Sequence, residues 1–163
     1  RSAIPVSGLI WWWPVLPKPI GSASPAGMCS AMRLGKDGCC MSPAEDAQLL
    51  LVIVRRHLRS LQVGLDPDYP EEDWGFTAQQ ALEKLLKAWI VLADRQPPRR
   101  HDLAELAALA GQPLDPPLRD LQVFAVEARY EEGPFPLPAE REVLLNSLEA
   151  LLLRCEQAVA SQD

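Results

Sequence analysis

Eight basic residues lie within a short stretch of the chain: Arg55, Arg56, Arg59, Lys84, Lys87, Arg95, Arg99 and Arg100. Positive charge gathered on one face is what binding to nucleic acid requires. Lys84 and Lys87 are three apart and share one side of any helix that carries them. His57 stands beside Arg55, Arg56 and Arg59, where an ordinary surface position competes with a functional one. The competing reading of the whole set is solvated helix faces. Against it stands an acidic background, with a net charge of −6 over 163 residues. Residues 1–40 hold Arg1, Lys18, Arg33 and Lys36 against Asp37 alone. That leaves 12 Lys+Arg against 21 Asp+Glu from 41 onward, a net of −9. Such a domain is a poor non-specific binder of nucleic acid, so any basic face must act locally.

Other chemistries find no support. Cys29, Cys39, Cys40 and Cys155 form no C-x-x-C pair, and His57 and His101 are far apart, so no metal-ligand spacing exists. Cys155 falls at a core-facing helical position, and four cysteines used this way suit a reducing cytoplasm. The nine glycines make neither a G-x-G-x-x-G nor a Walker arrangement, and no cofactor is implied. No Ser/His/Asp constellation or paired-carboxylate site can be defended.

The elements that must position these residues read as helices. Apolar residues make up 48% of the chain and aromatics only 6%, with Leu and Ala dominant. Residues 1–41 differ, with prolines at 5, 14, 17, 19 and 25, the run Trp11-Trp12-Trp13 and no helical period. They are read as an irregular or disordered N-terminal tail and left out of the fold. The apolar run 9–16 is too short to span a membrane and is broken by Pro14.

From Ser42 onward the chain predicts a bundle. Ser42-Pro43-Ala44-Glu45 has the form of a capping box and opens a helix that runs to Val63 and stops at Gly64. Its stretch 49–54 is apolar all round, which predicts burial on more than one side, against the bundle and a second subunit. A second helix over 72–94 shows the stripe Ala78, Ala81, Leu82, Leu85, Trp89 and Leu92, with Pro97-Pro98 beyond it. On its other faces, Glu83 and Lys87 have the favourable i,i+4 spacing, worth roughly 0.3 kcal/mol. A short third helix is predicted over 101–110, ended by Gly111, and a fourth over 116–129. The fifth, over 139–160, carries Leu144, Leu145, Leu148, Leu151, Leu152, Cys155 and Val159. Short connections favour antiparallel neighbours. The expected fold over 42–163 is all-α, an antiparallel up-and-down helical bundle of four long helices plus a short one.

Three segments in order carry a family resemblance: Ala78-Gln79-Gln80-Ala81-Leu82-Glu83-Lys84-Leu85-Leu86-Lys87-Ala88, then His101-Asp102-Leu103 with Leu106, then Glu127-Ala128-Arg129-Tyr130. Together they resemble the HEPN domain family over roughly 43–160. The resemblance implies an antiparallel helical bundle, commonly dimeric. Many bacterial and archaeal members are encoded beside a minimal nucleotidyltransferase, with which they form a toxin–antitoxin-like pair. A catalytic branch comprises metal-independent ribonucleases with an Arg followed after four to six residues by His. In that branch Arg stabilises phosphate charge and His moves a proton at a ribose hydroxyl or leaving oxygen.

Arg95-Gln96-Pro97-Pro98-Arg99-Arg100-His101 meets that spacing. It departs from the catalytic pattern at Gln96, where ribonuclease members prefer Asn, Asp or His, and at Leu103, where one toxin subgroup has Tyr. The alternative role for His101 is a helix-start residue whose ring orders the turn. Two readings follow. In the first, the protein is a dimeric binding module that pairs with a nucleotidyltransferase or holds nucleotide or RNA. Lys84, Lys87, Arg99, Arg100, Arg129 and Tyr130 are its candidate contacts. In the second, it is a metal-independent ribonuclease that uses Arg95 and His101.

Overall fold

The computed structural model describes residues 42–125 and 133–162. It contains α1 (Pro43–Val63), α2 (Glu71–Leu92), α3 (Leu103–Ala110), α4 (Pro116–Asp120), a 3-10 turn (Leu121–Ala125) and α5 (Arg141–Ala160). No strand occurs among the described residues, and the expected all-helical bundle is what forms. Among them no helix is long and apolar enough to cross a membrane. The expected tail, residues 1–41, lies outside the described residues.

Local chemistry sets the helix ends. At α1 the Ser42 hydroxyl accepts from the Glu45 amide, and the Glu45 carboxylate accepts from the Ser42 amide at 2.7 Å. Both orphan amides are satisfied by one reciprocal pair, as the sequence predicts. α2 stops at Leu92, before the prolines. Asp94 adopts a left-handed φ of 53°, and the amide of Arg95 reaches back to the Ile90 carbonyl. That bond closes the helix as a Schellman turn. α3 begins two residues later than expected, because Asp102 Oδ1 accepts from the Glu105 amide and makes Asp102 the cap. Its far end uses Gly111 at φ 65°, where a residue without Cβ is favoured.

The apolar stripe of α5 is buried as predicted, from Leu144 to Val159, with Cys155 inside it. α2 is the central helix and packs against α1, α3, the 3-10 turn and α5. Polar contacts fix the directions. Arg141, at the start of α5, donates to the carbonyls of Gly64, Asp66 and Tyr69 after α1. At the other end Arg55 pairs with Glu156, and Gln162 reaches the Leu92 carbonyl. α5 therefore runs antiparallel to α1 and parallel to α2, the relation that an up-and-down bundle gives its last helix. The short segment 103–125 carries the chain back along α2 to its beginning.

The fourth helix differs from its expectation. α-helical winding covers only Pro116–Asp120 and then tightens into the 3-10 turn. At three residues per turn, Leu118, Leu121 and Phe124 fall on one face, and all three are buried. Phe124 lies so close to α2 that a Cβ on Gly75 would sit 2.5 Å from its ring. The rest of the expected helix, with Arg129 and Tyr130, lies outside the described residues.

In α1 only one side is buried within the chain. Leu51 and Val54 are in the core, whereas Leu49, Val52 and Ile53 are exposed. The expectation of burial on more than one side is not met by the single chain.

Candidate functional site

Glu83 sits in the middle of α2 and is fully buried. An ionised carboxylate placed there is costly unless each oxygen is paired. Both oxygens are. Oε1 accepts from Lys87 Nζ at 2.8 Å and Lys84 Nζ at 3.2 Å. Oε2 meets His101 Nδ1 at 2.9 Å and accepts from Gln79 Nε2 at 3.4 Å. Gln80 in turn donates to Gln79 Oε1 at 2.7 Å, which fixes the direction of the Gln79 amide. Burial alone would push the Glu83 carboxyl up. The hydrogen bonds from Lys87 and His101, with the charges of Lys84 and Lys87, outweigh burial and hold it at about 2.

His101 arrives at this carboxylate from the loop between α2 and α3, one residue before the Asp102 cap. The cap fixes where α3 starts and so where the loop must deliver the ring. A carboxylate only accepts, so Nδ1 carries the hydrogen of this contact. In the neutral ring Nε2 is then the lone-pair nitrogen, on the opposite edge of a side chain that is 62% exposed. Lys84 and Lys87 are more enclosed, with side chains 26% and 12% exposed. One buried carboxylate thus gathers two ammonium groups and an imidazole at the surface, and the cluster carries net positive charge. His57 on α1 borders it. Burial, and then the charge of Lys84, push the His57 imidazole below its usual range.

The other expected site residues are placed differently. Arg95 donates through Nη2 to the Leu109 carbonyl, in the last turn of α3. Unpaired carbonyls carry partial negative charge there, and a cation complements them. Arg95 is thus bound at the C-terminal end of α3, whereas His101 precedes its N-terminal end. A helix of eight residues is about 12 Å long. The sequence spacing of Arg95 and His101 is therefore not a contact within the chain, and the cations beside His101 are Lys84 and Lys87. Arg100 makes an exposed ion pair with Glu105 at 3.5 Å, of little energetic weight. Arg99 is exposed on the same loop.

Glu83 is the residue of this cluster that the sequence reveals least. Its i,i+4 partner Lys87 was visible, but its burial depends on a loop eighteen residues on. A glutamate with Lys at +1 and +4 and Gln at −4 was the available signal. A cavity of about 430 Å³ lies along α3 between Ala104 and Arg119 and includes none of these side chains. Among the described residues no group of His, Cys, Asp and Glu could hold a metal ion.

The family model for the HEPN domain matches residues 55–158, well over half of the chain. That span contains the whole cluster as well as Arg95, Arg99, Arg100, Arg129 and Tyr130. No curated protein and no solved structure gives a match to set beside it.

Proposed function

This chain belongs to the HEPN domain family, and we propose that it is a dimeric binding module taking a phosphate-bearing ligand, nucleotide or RNA, on its Lys84–Lys87–His101 face. In this reading it works with a minimal nucleotidyltransferase as a toxin–antitoxin-like pair. One observation carries the ligand assignment: the fully buried Glu83 carboxylate holds Lys84, Lys87 and His101 together. Ammonium groups fixed in this way have already lost the side-chain freedom that binding would otherwise cost. Each keeps N–H donors beyond the one it gives to Glu83, so a phosphate can be met without dismantling the cluster.

The test is titration of the full chain with a labelled single-stranded oligoribonucleotide over a range of salt. The salt slope of log K should fall in magnitude by about 1.4 when Lys84 and Lys87 are both replaced by Ala, at roughly 0.7 per phosphate neutralised on single strands. An unchanged slope would remove the face from the proposal. A pull-down with a minimal nucleotidyltransferase tests the partner separately.

The His101–Glu83 contact favours a second reading, a metal-independent ribonuclease. A carboxylate on Nδ1 orients an imidazole and supports the positive charge it gains on taking a proton. Nε2 would take the proton of a ribose 2′-hydroxyl as that oxygen attacks the adjacent phosphorus. The 5′-oxygen would leave and be protonated from solvent. Arg95 is the expected phosphate stabiliser in this reading, yet within one chain Lys84 and Lys87 lie nearer to His101. Cleavage of an RNA pool in chelator by the parent, and none by His101→Ala, would decide for the enzyme.

A further inference from the structure

α1 carries two stripes, not one. Ala44, Ala47, Leu51, Val54, Leu58 and Leu61 are buried in the bundle. A second row, Glu45, Leu49, Val52, Arg56, Arg59 and Val63, follows the same alternation of fours and threes and is exposed throughout. That spacing keeps a seam against another helix along its length, as in a coiled coil. Within the second row Leu49 is 56% and Val52 42% exposed, with Ile53 beside them at 36%. Three adjacent aliphatic side chains facing water differ from the single exposed apolar residues that a monomer scatters over its surface.

We propose that this face is covered by the α1 of a second copy, packed antiparallel about a two-fold axis between Leu49 and Val52. The proposal rests on the dimeric part of the functional reading and names its interface. Charge along the helix selects the occupant and its direction. The N-terminal turn is acidic, with Glu45 and Asp46, and the C-terminal half is basic, with Arg56 and Arg59. A parallel pair would set like charges together. An antiparallel pair sets them against their opposites and also opposes the helix dipoles favourably. Placing Leu49 of one copy across Val52 of the other puts Glu45 across Arg56 in the same register, twice by symmetry. One Glu45 oxygen closes the capping box and the other remains to accept from Arg56. Val63 lies beyond the overlap in this register and is not part of the contact.

Sedimentation of the full chain over a concentration series tests the interface. The parent should be dimeric. Val52→Asp would bury a carboxylate at the seam in both copies and should raise the dimer dissociation constant by at least about tenfold. Arg56→Glu should weaken the dimer as well, most at low salt. Val63→Asp, at an even more exposed position, should leave it intact. All three sites are on the surface, and circular dichroism would verify that α1 is retained. A monomeric parent, a Val52→Asp variant that dimerises like the parent, or a Val63→Asp variant that dissociates like Val52→Asp would each overturn the proposal. Oligonucleotide binding on the same samples separates the two ideas. Binding without dimerisation sinks this interface and the dimeric part of the functional reading but leaves the ligand assignment, whereas dimerisation without binding sinks the ligand assignment alone.

Discussion

The buried carboxylate of Glu83 and the exposed imidazole of His101 meet at 2.9 Å, across eighteen residues of sequence. One belongs to the central helix and the other to the loop that leads into α3. Their contact ties the loop to the bundle and sets the direction of the ring, so fold and site share one interaction. Lys84 and Lys87 complete it from the helix side.

Glu83→Gln should lower stability by roughly 2–3 kcal/mol, below the usual cost of breaking a fully buried pair, because the partner cations reach water. The effect depends on pH. The folded carboxyl is held at about 2, against 4.5 for an ordinary Glu. In the unfolded chain it binds a proton more readily, so its stabilisation is complete above about pH 4.5 and is lost as pH falls toward 2. The parent and Glu83→Gln should therefore differ most near neutrality and converge at low pH. Urea unfolding at a series of pH values would show this. A constant difference across the range would mean that the carboxylate is not the stabilising group.

Gly75→Ala tests the close approach between α2 and the 3-10 turn. The added methyl would lie 2.5 Å from the Phe124 ring, which is itself fully buried. Either the ring leaves its position or the turn lifts from α2, and overpacking of this kind costs about 1–3 kcal/mol. A second change, Phe124→Leu, frees space and should recover part of the loss in Gly75→Ala. Thermal unfolding of the two single variants and the double would reveal the coupling. Additive losses would argue against the close approach.

Cys155 should be inert in the native protein. Burial, and then the neighbouring Glu156 charge, push its thiol up to about 12, so little thiolate exists near neutral pH. A thiol-specific reagent, followed by peptide mapping, should leave the Cys155 peptide unlabelled in buffer and labelled in denaturant. Fast labelling in buffer would show that α5 opens from the core.

What the sequence made legible and what it hid divide into local and distant causes. The α1 capping box and the α5 stripe need only residues within a turn or two of each other, and both were legible in the sequence. Leu118, Leu121 and Phe124 recur at three, which fits 3-10 winding as well as an α-helix. The period alone could not separate the two, and the close contact with Gly75 on α2 did. Arg95 and His101 have the spacing of a catalytic motif, but spacing along a loop does not fix which way side chains turn. The Schellman end of α2 and the Asp102 cap on α3 send them to opposite ends of a short helix. Glu83 reads as a surface partner of Lys87 until the loop carrying His101 folds over it.

Arg95 offers the sharpest test of that separation. As a cap on the last turn of α3, its replacement by Ala should cost about 1 kcal/mol of stability, the net worth of a typical hydrogen bond. Oligonucleotide binding and its salt slope should then stay as in the parent. Lys87→Ala should do the reverse to the slope, reducing its magnitude by about 0.7 because one phosphate fewer is neutralised. The two lesions act at different places, so the double variant should show both effects without interaction. Suppose instead that Arg95→Ala abolishes binding or cleavage while unfolding at the parent's denaturant midpoint. Arg95 would then work beside His101 in the functional protein, through contacts that only the second copy can supply, and the ribonuclease reading would take precedence.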